Sequence, residues 1–150
     1  NVPHVCYCYT PTRYLWEDVR KYVNGFLASP PATAVGETIF RMGDTGDEVY
    51  LIRRGTVRLF LPVGEGNYHN LASCGRGDFF GEVAFLDRGR RSAGAVATTA
   101  VDLFVISRAR FDEVSHAHPV VGVKIFARLA RAEALRLRHA DAELRAWYET

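Results

Sequence analysis

The chain has little cysteine, no long apolar run and almost no net charge, and each shortage removes a class of function. Its 150 residues include three cysteines, Cys6, Cys8 and Cys74. An odd, small count argues against a disulfide framework and suits a reducing compartment. Cys6 and Cys8 sit one residue apart with no second Cys or His pair nearby, which makes a poor zinc set. The five histidines, His4, His69, His116, His118 and His139, show no pair with ligand spacing inside one strand. A metal-dependent enzyme is therefore disfavoured, and no metal is expected. Uninterrupted apolar runs are only a few residues long, so no segment is read as spanning a bilayer. The net charge of +2 is too small to imply a nucleic-acid or membrane partner by its field alone. The chain opens on Asn1 with no charged-then-apolar leader behind it, as expected of a fragment or a processed chain in the cytoplasm, alone or as part of a larger membrane-associated protein.

What is present is ordinary for one globular domain: 48% apolar and 24% charged residues. Periodicity divides it into zones at 1–31, 32–118 and 119–150. In the first, Val5–Tyr9 is a short β-prone run, and Arg13–Phe26 carries a helical apolar face before Ser29-Pro30-Pro31 breaks the chain. In the second, turn sequences recur: Gly43-Asp44-Thr45-Gly46-Asp47, Gly55, Gly64-Glu65-Gly66-Asn67 and Gly75-Arg76-Gly77-Asp78. Short β-branched and aromatic stretches lie between them, at Thr38–Phe40, Val49–Ile52, Thr56–Leu61, Ala95–Ala97 and Leu103–Ile106. Many short strands with frequent turns predict a mainly β domain, an antiparallel roll or jelly roll of about eight strands flanked by helices. Glu82–Leu86 interrupts it as a helix of one or two turns.

The third zone turns helical. Ser107 caps a first helix, and Pro119 opens a long C-terminal one. Val123, Phe126, Ala130, Glu133, Leu137, Ala140, Leu144 and Trp147 follow a 3,4 spacing with one charged interruption at Glu133. A helix of this length, roughly 40 Å, overhangs a small β domain, so a homodimer through this seam is expected. The alternative is a helix that packs back on its own roll.

The chemistry concentrates in Gly77–Ala93. Gly81 admits close approach of a ligand to the backbone. The helix opening at Glu82 presents free N–H groups to an anion. Arg91 returns nine residues later, placed to clamp a phosphate with charge-assisted bonds. A carboxylate at Glu82 suits a sugar hydroxyl beside that phosphate. Together they point to a cyclic phosphate and a ribose hydroxyl read as one ligand. No activated nucleophile or acid–base pair accompanies them, so no catalysis is expected.

Phe80-Gly81-Glu82-Val83-Ala84-Phe85-Leu86 followed by Arg91-Ser92-Ala93 resembles the phosphate-binding cassette of the cyclic nucleotide-binding domain family. The upstream Gly43-Asp44-Thr45-Gly46-Asp47-Glu48 turn, the strand after it and Gly55 also match that family's pattern. The resemblance covers about residues 34–140. It implies that Glu82 accepts from the ribose 2′-hydroxyl, that Arg91 pairs the exocyclic phosphate oxygens, and that Ser92 bonds the phosphate or the base edge. It further implies that Phe80, Gly81, Val83, Ala84 and Ala93 surround the ligand, with Val57 and Leu71 as the apolar wall. The ligand expected is cAMP, favoured over cGMP. The long helix becomes a lid that signals to a missing effector domain or partner.

Val5–Trp16 resembles instead a segment of two-Rossmann-domain glycosyltransferases, with Tyr9 where that family carries His. Two alternatives to a sensor follow. One is a non-binding β-roll in a chimeric or decayed glycosyltransferase fusion. The other is the effector domain of a transcription regulator without its helix-turn-helix, since the chain reaches Thr150 with none and no nucleic-acid contact is expected of it.

Overall fold

Strand alternation explains the architecture best at one segment, Glu48–Arg54. Val49 and Leu51 point to one side of it and Ile52 to the other, and all three are buried. A strand buried on both faces must lie between two layers. The computed structural model describes residues 30–150 and shows those layers. The aromatic segment Val5–Trp16 and the helix expected over Arg13–Phe26 lie outside the described residues.

The strands are β1 (Thr38–Phe40), β2 (Glu48–Arg54), β3 (Val57–Val63), β4 (Asn67–Cys74), β5 (Phe79–Phe80), β6 (Gly94–Ala97) and β7 (Asp102–Ser107). A four-stranded sheet runs β1-β6-β3-β4, and a three-stranded sheet runs β5-β2-β7. Every pairing is antiparallel. The fold is thus the expected β-roll, with seven strands among the described residues and an isolated bridge between Thr33 and Val101. Between the sheets lies one core, with Phe40, Ile52, Val57, Phe80, Val101 and Leu103. Behind the three-stranded sheet lies the second, where Val49, Leu51 and Ile106 meet helical residues.

Among the described residues there are three helices: α1 (Glu82–Asp87) between β5 and β6, then α2 (Arg108–Ala117) and α3 (Pro119–Tyr148) after β7. Ser107 caps α2 as expected, its hydroxyl accepting from the Arg110 amide at 3.3 Å. Phe111 of α2 meets Phe85 of α1 and Phe126 of α3 edge-on, at 5.3 and 4.5 Å between ring centroids. Arg108 lies over all three rings and donates to the Phe85 carbonyl at 3.0 Å. A Cβ on Gly122 would stand 2.5 Å from Ser115 Oγ, so α2 and α3 approach closely there.

The long helix buries its early turns and frees its late ones. Val121, Ile125 and Leu129 are buried, whereas every residue from Asp141 onward is exposed. The expected seam is therefore shifted in phase. Phe126 turns into the helical core and Glu133 is half-buried, so neither belongs to an outer stripe. The exposed stripe instead runs through Val120, Val123, Ala127, Ala130, Ala134, Leu137, Leu144 and Tyr148, again with a 3,4 spacing, broken at Asp141.

Candidate functional site

A left-handed glycine begins the site. Gly81, at φ 78°, ends β5 and caps the start of α1. A Cβ there would lie 2.8 Å from Arg91 Nη1 and 3.0 Å from the Tyr50 ring. At Gly46 a Cβ would lie 2.7 Å from Arg91 Nη2. Both glycines therefore clear space for one guanidinium. The Gly43-Asp44 turn fixes the backbone that carries it: the Arg91 amide donates to Asp44 O at 2.9 Å, and the Gly43 amide donates to Arg91 O at 2.8 Å.

The Arg91 guanidinium is nearly inaccessible. Nη1 donates to the carbonyls of Glu48 and Gly81 at 2.8 and 2.9 Å, and Nη2 to Glu48 Oε2 at 2.9 Å. These bonds use three of its five N–H groups and hold the fork rigid. It lies 4.4 Å from the Phe40 ring centroid. Tyr50 stacks on Phe80 alongside it, at 5.0 Å. Burial pushes the Tyr50 phenol upward, and the Arg91 charge opposes that.

Glu82, at the first turn of α1, is 2% exposed. One of its oxygens pairs with Arg136, which reaches across from α3. The other, Oε2, is buried without a hydrogen-bond partner. Arg136 also pairs with Glu133 at 3.1 Å and donates to the Phe79 carbonyl at 2.8 Å. Two carboxylates thus share one cation, and burial raises the Glu133 pKa.

These groups open on a cavity of about 300 Å³. Gly81, Glu82, Val83, Ala84, Arg91, Ser92 and Ala93 all line it. Leu71 lines it as well, and so does the adjacent Ala72. Neighbouring strand residues normally face opposite sides. Here a register shift pairs Leu59 with Ala72 and Phe60 with Asn70, leaving Leu71 as an extra residue in β4.

Two expected site residues lie elsewhere. Val57 is fully buried between the sheets and does not line the cavity; Leu59, two residues along the same strand, does. Phe80 is likewise fully buried, stacked on Tyr50 and tilted against Phe40, and supports the wall from behind.

The residues that sequence reasoning missed come mostly from α3: Glu133, Arg136, Leu137, His139, Ala140 and Glu143 line the cavity. The available sign was the charged interruption at Glu133. Glu133, Arg136, Ala140 and Glu143 keep a 3,4,3 spacing beside the apolar stripe, as a polar face turned toward the roll would. Glu48, which holds Arg91, was also missed, although it stands in the turn that carries the resemblance. Among the described residues no group of three or more His, Cys, Asp or Glu could hold a metal ion, and no helix is long and apolar enough to cross a membrane.

The site can be tested against a cyclic nucleotide on its own geometry. A buried carboxylate oxygen without a partner needs a donor, which a ribose hydroxyl supplies. The Arg91 guanidinium is already paired with Glu48 but has N–H groups left over, and these can take a second anion such as a phosphate. The residues fit such a ligand.

Comparison with known proteins agrees. The family model of the cyclic nucleotide-binding domain matches residues 33–118. The cyclic AMP receptor protein of Thermus thermophilus is 41% identical over 109 residues, covering 73% of this chain and 49% of the relative. The crystal structure of the Thermus thermophilus catabolite activator protein superposes with a TM-score of 0.73 at 34% identity, covering 95% of this chain and 62% of that one. A cyclic nucleotide-binding domain from Methylobacillus flagellatus superposes with a TM-score of 0.76 at 28% identity, covering 89% of this chain and 73% of that one. The chain spans about half the length of the Thermus receptor. With the cassette residues gathered on one cavity of a β-roll and the family model matching more than half of the sequence, the chain belongs to the cyclic nucleotide-binding domain family.

Proposed function

We propose that the chain is a non-catalytic sensor that binds a cyclic nucleotide, cAMP in preference to cGMP, and relays occupancy through α3 to a fused or partner domain. The observation that carries this is the pairing of a buried, unpartnered Glu82 oxygen with a buried Arg91 guanidinium on one cavity. Arg91 takes the exocyclic phosphate oxygens while Glu48 steadies it from behind. Glu82 accepts from the 2′-hydroxyl. Ser92, exposed at the rim, adds a hydroxyl for the phosphate or the base edge. Leu59, Leu71, Ala72 and Leu137 enclose the base. The adenine preference draws on Ser92 and on the similarity to a cyclic AMP receptor.

Arg136 supports the reading of a relay through α3. It spans from the helix to Glu82, so a ligand hydroxyl arriving at Glu82 meets the anchor of the lid. The exposed stripe of α3 supports a homodimer. A more specific reading, that this is the effector part of a transcription regulator, is favoured by the similarity to the Thermus activator, of which the chain spans 62%.

Calorimetric titration with cAMP and cGMP tests the proposal, with Arg91→Lys alongside. Lysine keeps the charge and loses the fork. Saturable binding by the parent chain and a loss of at least tenfold in the variant are expected. Absence of binding by a demonstrably folded parent chain leaves the non-binding roll as the correct reading.

A further inference from the structure

The cavity suits an anion, yet it holds more acid than base. Its charged lining residues are Glu82, Glu133 and Glu143 against Arg91 and Arg136. Arg91 is already matched by Glu48 at 2.9 Å, and Glu143 Oε1 has His139 Nε2 at 3.0 Å. Arg136 has to serve the other two carboxylates. Its Nη1 meets Glu82 Oε1 and stands 3.1 Å from Glu133 Oε1. Its Nη2 is spent on the Phe79 carbonyl at 2.8 Å and faces Cys74 Sγ at 3.9 Å. Glu82 is sealed in the wall, so Glu133 is the surplus charge. The ionisable groups around it are Arg136, His139 and Glu143 on its own helix, Glu82 from α1, Cys74 from β4 against Arg136, and Arg91 from the segment before β6.

We infer that Glu133 is an electrostatic brake on the site, holding affinity for the cyclic phosphate down while ionised and releasing it when neutral, so that the chain reads proton concentration together with nucleotide. This rests on the cyclic-nucleotide reading of the same cavity. Two effects share a sign. An ionised carboxylate on the cavity wall repels the phosphate monoanion, and a half-buried charge is only partly screened. It also divides the Arg136 charge, which would otherwise belong wholly to Glu82 and tie α3 over the ligand. A neutral side chain at this position removes both effects. Burial already biases Glu133 toward its protonated form, and a bound phosphate biases it further. By reciprocity, nucleotide binding draws a proton onto Glu133. The Glu133 side chain is 32% exposed, so water limits the effect to about fivefold in affinity.

The test is calorimetric titration of cAMP into the full chain at steps between about pH 5 and pH 8, in buffers of different ionisation enthalpy, which reads affinity and proton uptake together. A cyclic phosphate stays a monoanion over that range. The parent chain is expected to bind about fivefold more tightly at the acid end and to take up a fraction of a proton. Glu133→Gln should bind about fivefold more tightly than the parent chain near pH 8, with a flat affinity profile and no uptake. A purely structural role for Glu133 would leave the uptake unchanged. His139→Gln, the control for the imidazole, should keep the uptake. Equal affinities of the parent chain and Glu133→Gln near pH 8, no uptake by the parent chain, or uptake lost in His139→Gln overturns the inference while leaving the cyclic-nucleotide site standing. Failure of the folded parent chain to bind cAMP or cGMP overturns the underlying reading itself.

Discussion

Arg91 is a structural strut as well as a candidate ligand, so its removal should destabilise the domain even with no nucleotide present. In Arg91→Ala the carbonyls of Glu48 and Gly81 lose donors that now lie at 2.8 and 2.9 Å. An acceptor left unsatisfied in a largely buried setting costs about 1–2 kcal/mol. Glu48 is 37% exposed on its side chain and can turn to water, so its lost ion pair adds little. The guanidinium also leaves the face of Phe40, a contact of about 1 kcal/mol. The sum is about 3–5 kcal/mol, which for a domain of this size lowers Tm by roughly 10–15 °C. Urea unfolding of the ligand-free protein, followed by circular dichroism, measures it. Arg91→Lys should fall between the two, because an ammonium can satisfy one carbonyl but not span both. If Arg91→Ala unfolds within about 0.5 kcal/mol of the parent chain, the side chain does not brace β2 against β5, and the reasoning fails.

Gly81→Ala forces an L side chain into the left-handed region and toward Arg91 Nη1, and should cost about 2–3 kcal/mol in the same assay. Glu133 gives a pH signature. Its pKa is raised in the folded chain, so the folded state holds a proton that the unfolded state has released. Stability should therefore fall as pH rises from the ordinary glutamate range through the raised value, and Glu133→Gln should flatten that slope in urea titrations at stepped pH. Val123→Lys with Leu144→Lys places charge in the exposed stripe of α3, where both residues now stand more than half exposed. Sedimentation equilibrium should show any dimer weakened by at least about a hundredfold, with cAMP binding retained.

The roll was legible because its turns are written in glycine and aspartate and its inner strands in β-branched and aromatic residues. The short helix was legible at Glu82, and so was the Ser107 cap of α2. Strand β4 was not. Asn67–Cys74 is mostly polar and exposed, lies at the edge of its sheet, and is identified as a strand only by its partner β3. Val57 was misplaced for a related reason. Alternation along a strand says which residues share a face, but not which part of that face a cavity reaches. Six of the seventeen residues lining the cavity were invisible because α3 folds back over it. The 3,4 pattern of apolar residues gives a period, and here two interleaved stripes share that period, one outward and one over the cavity. Only contacts such as Arg136 with Glu82 decide the phase.

The long helix therefore presents two surfaces, one over the cavity and one turned outward. Its early turns are clamped, with Gly122 seated against Ser115 and Ile125 and Leu129 in the core, while the end beyond Asp141 stands clear of the roll. A rod held at one end translates little but can roll. With side-chain tips about 5–6 Å from the axis, a turn of some 20° sweeps them through roughly 2 Å, on both surfaces at once and in opposite directions. Leu137, which lines the cavity and is also 65% exposed on the outer stripe, sits where the two surfaces meet. A load that turns the free end at Arg136 carries Leu144 through a matching arc, while Val123, between the clamped Gly122 and Ile125, stays with the core.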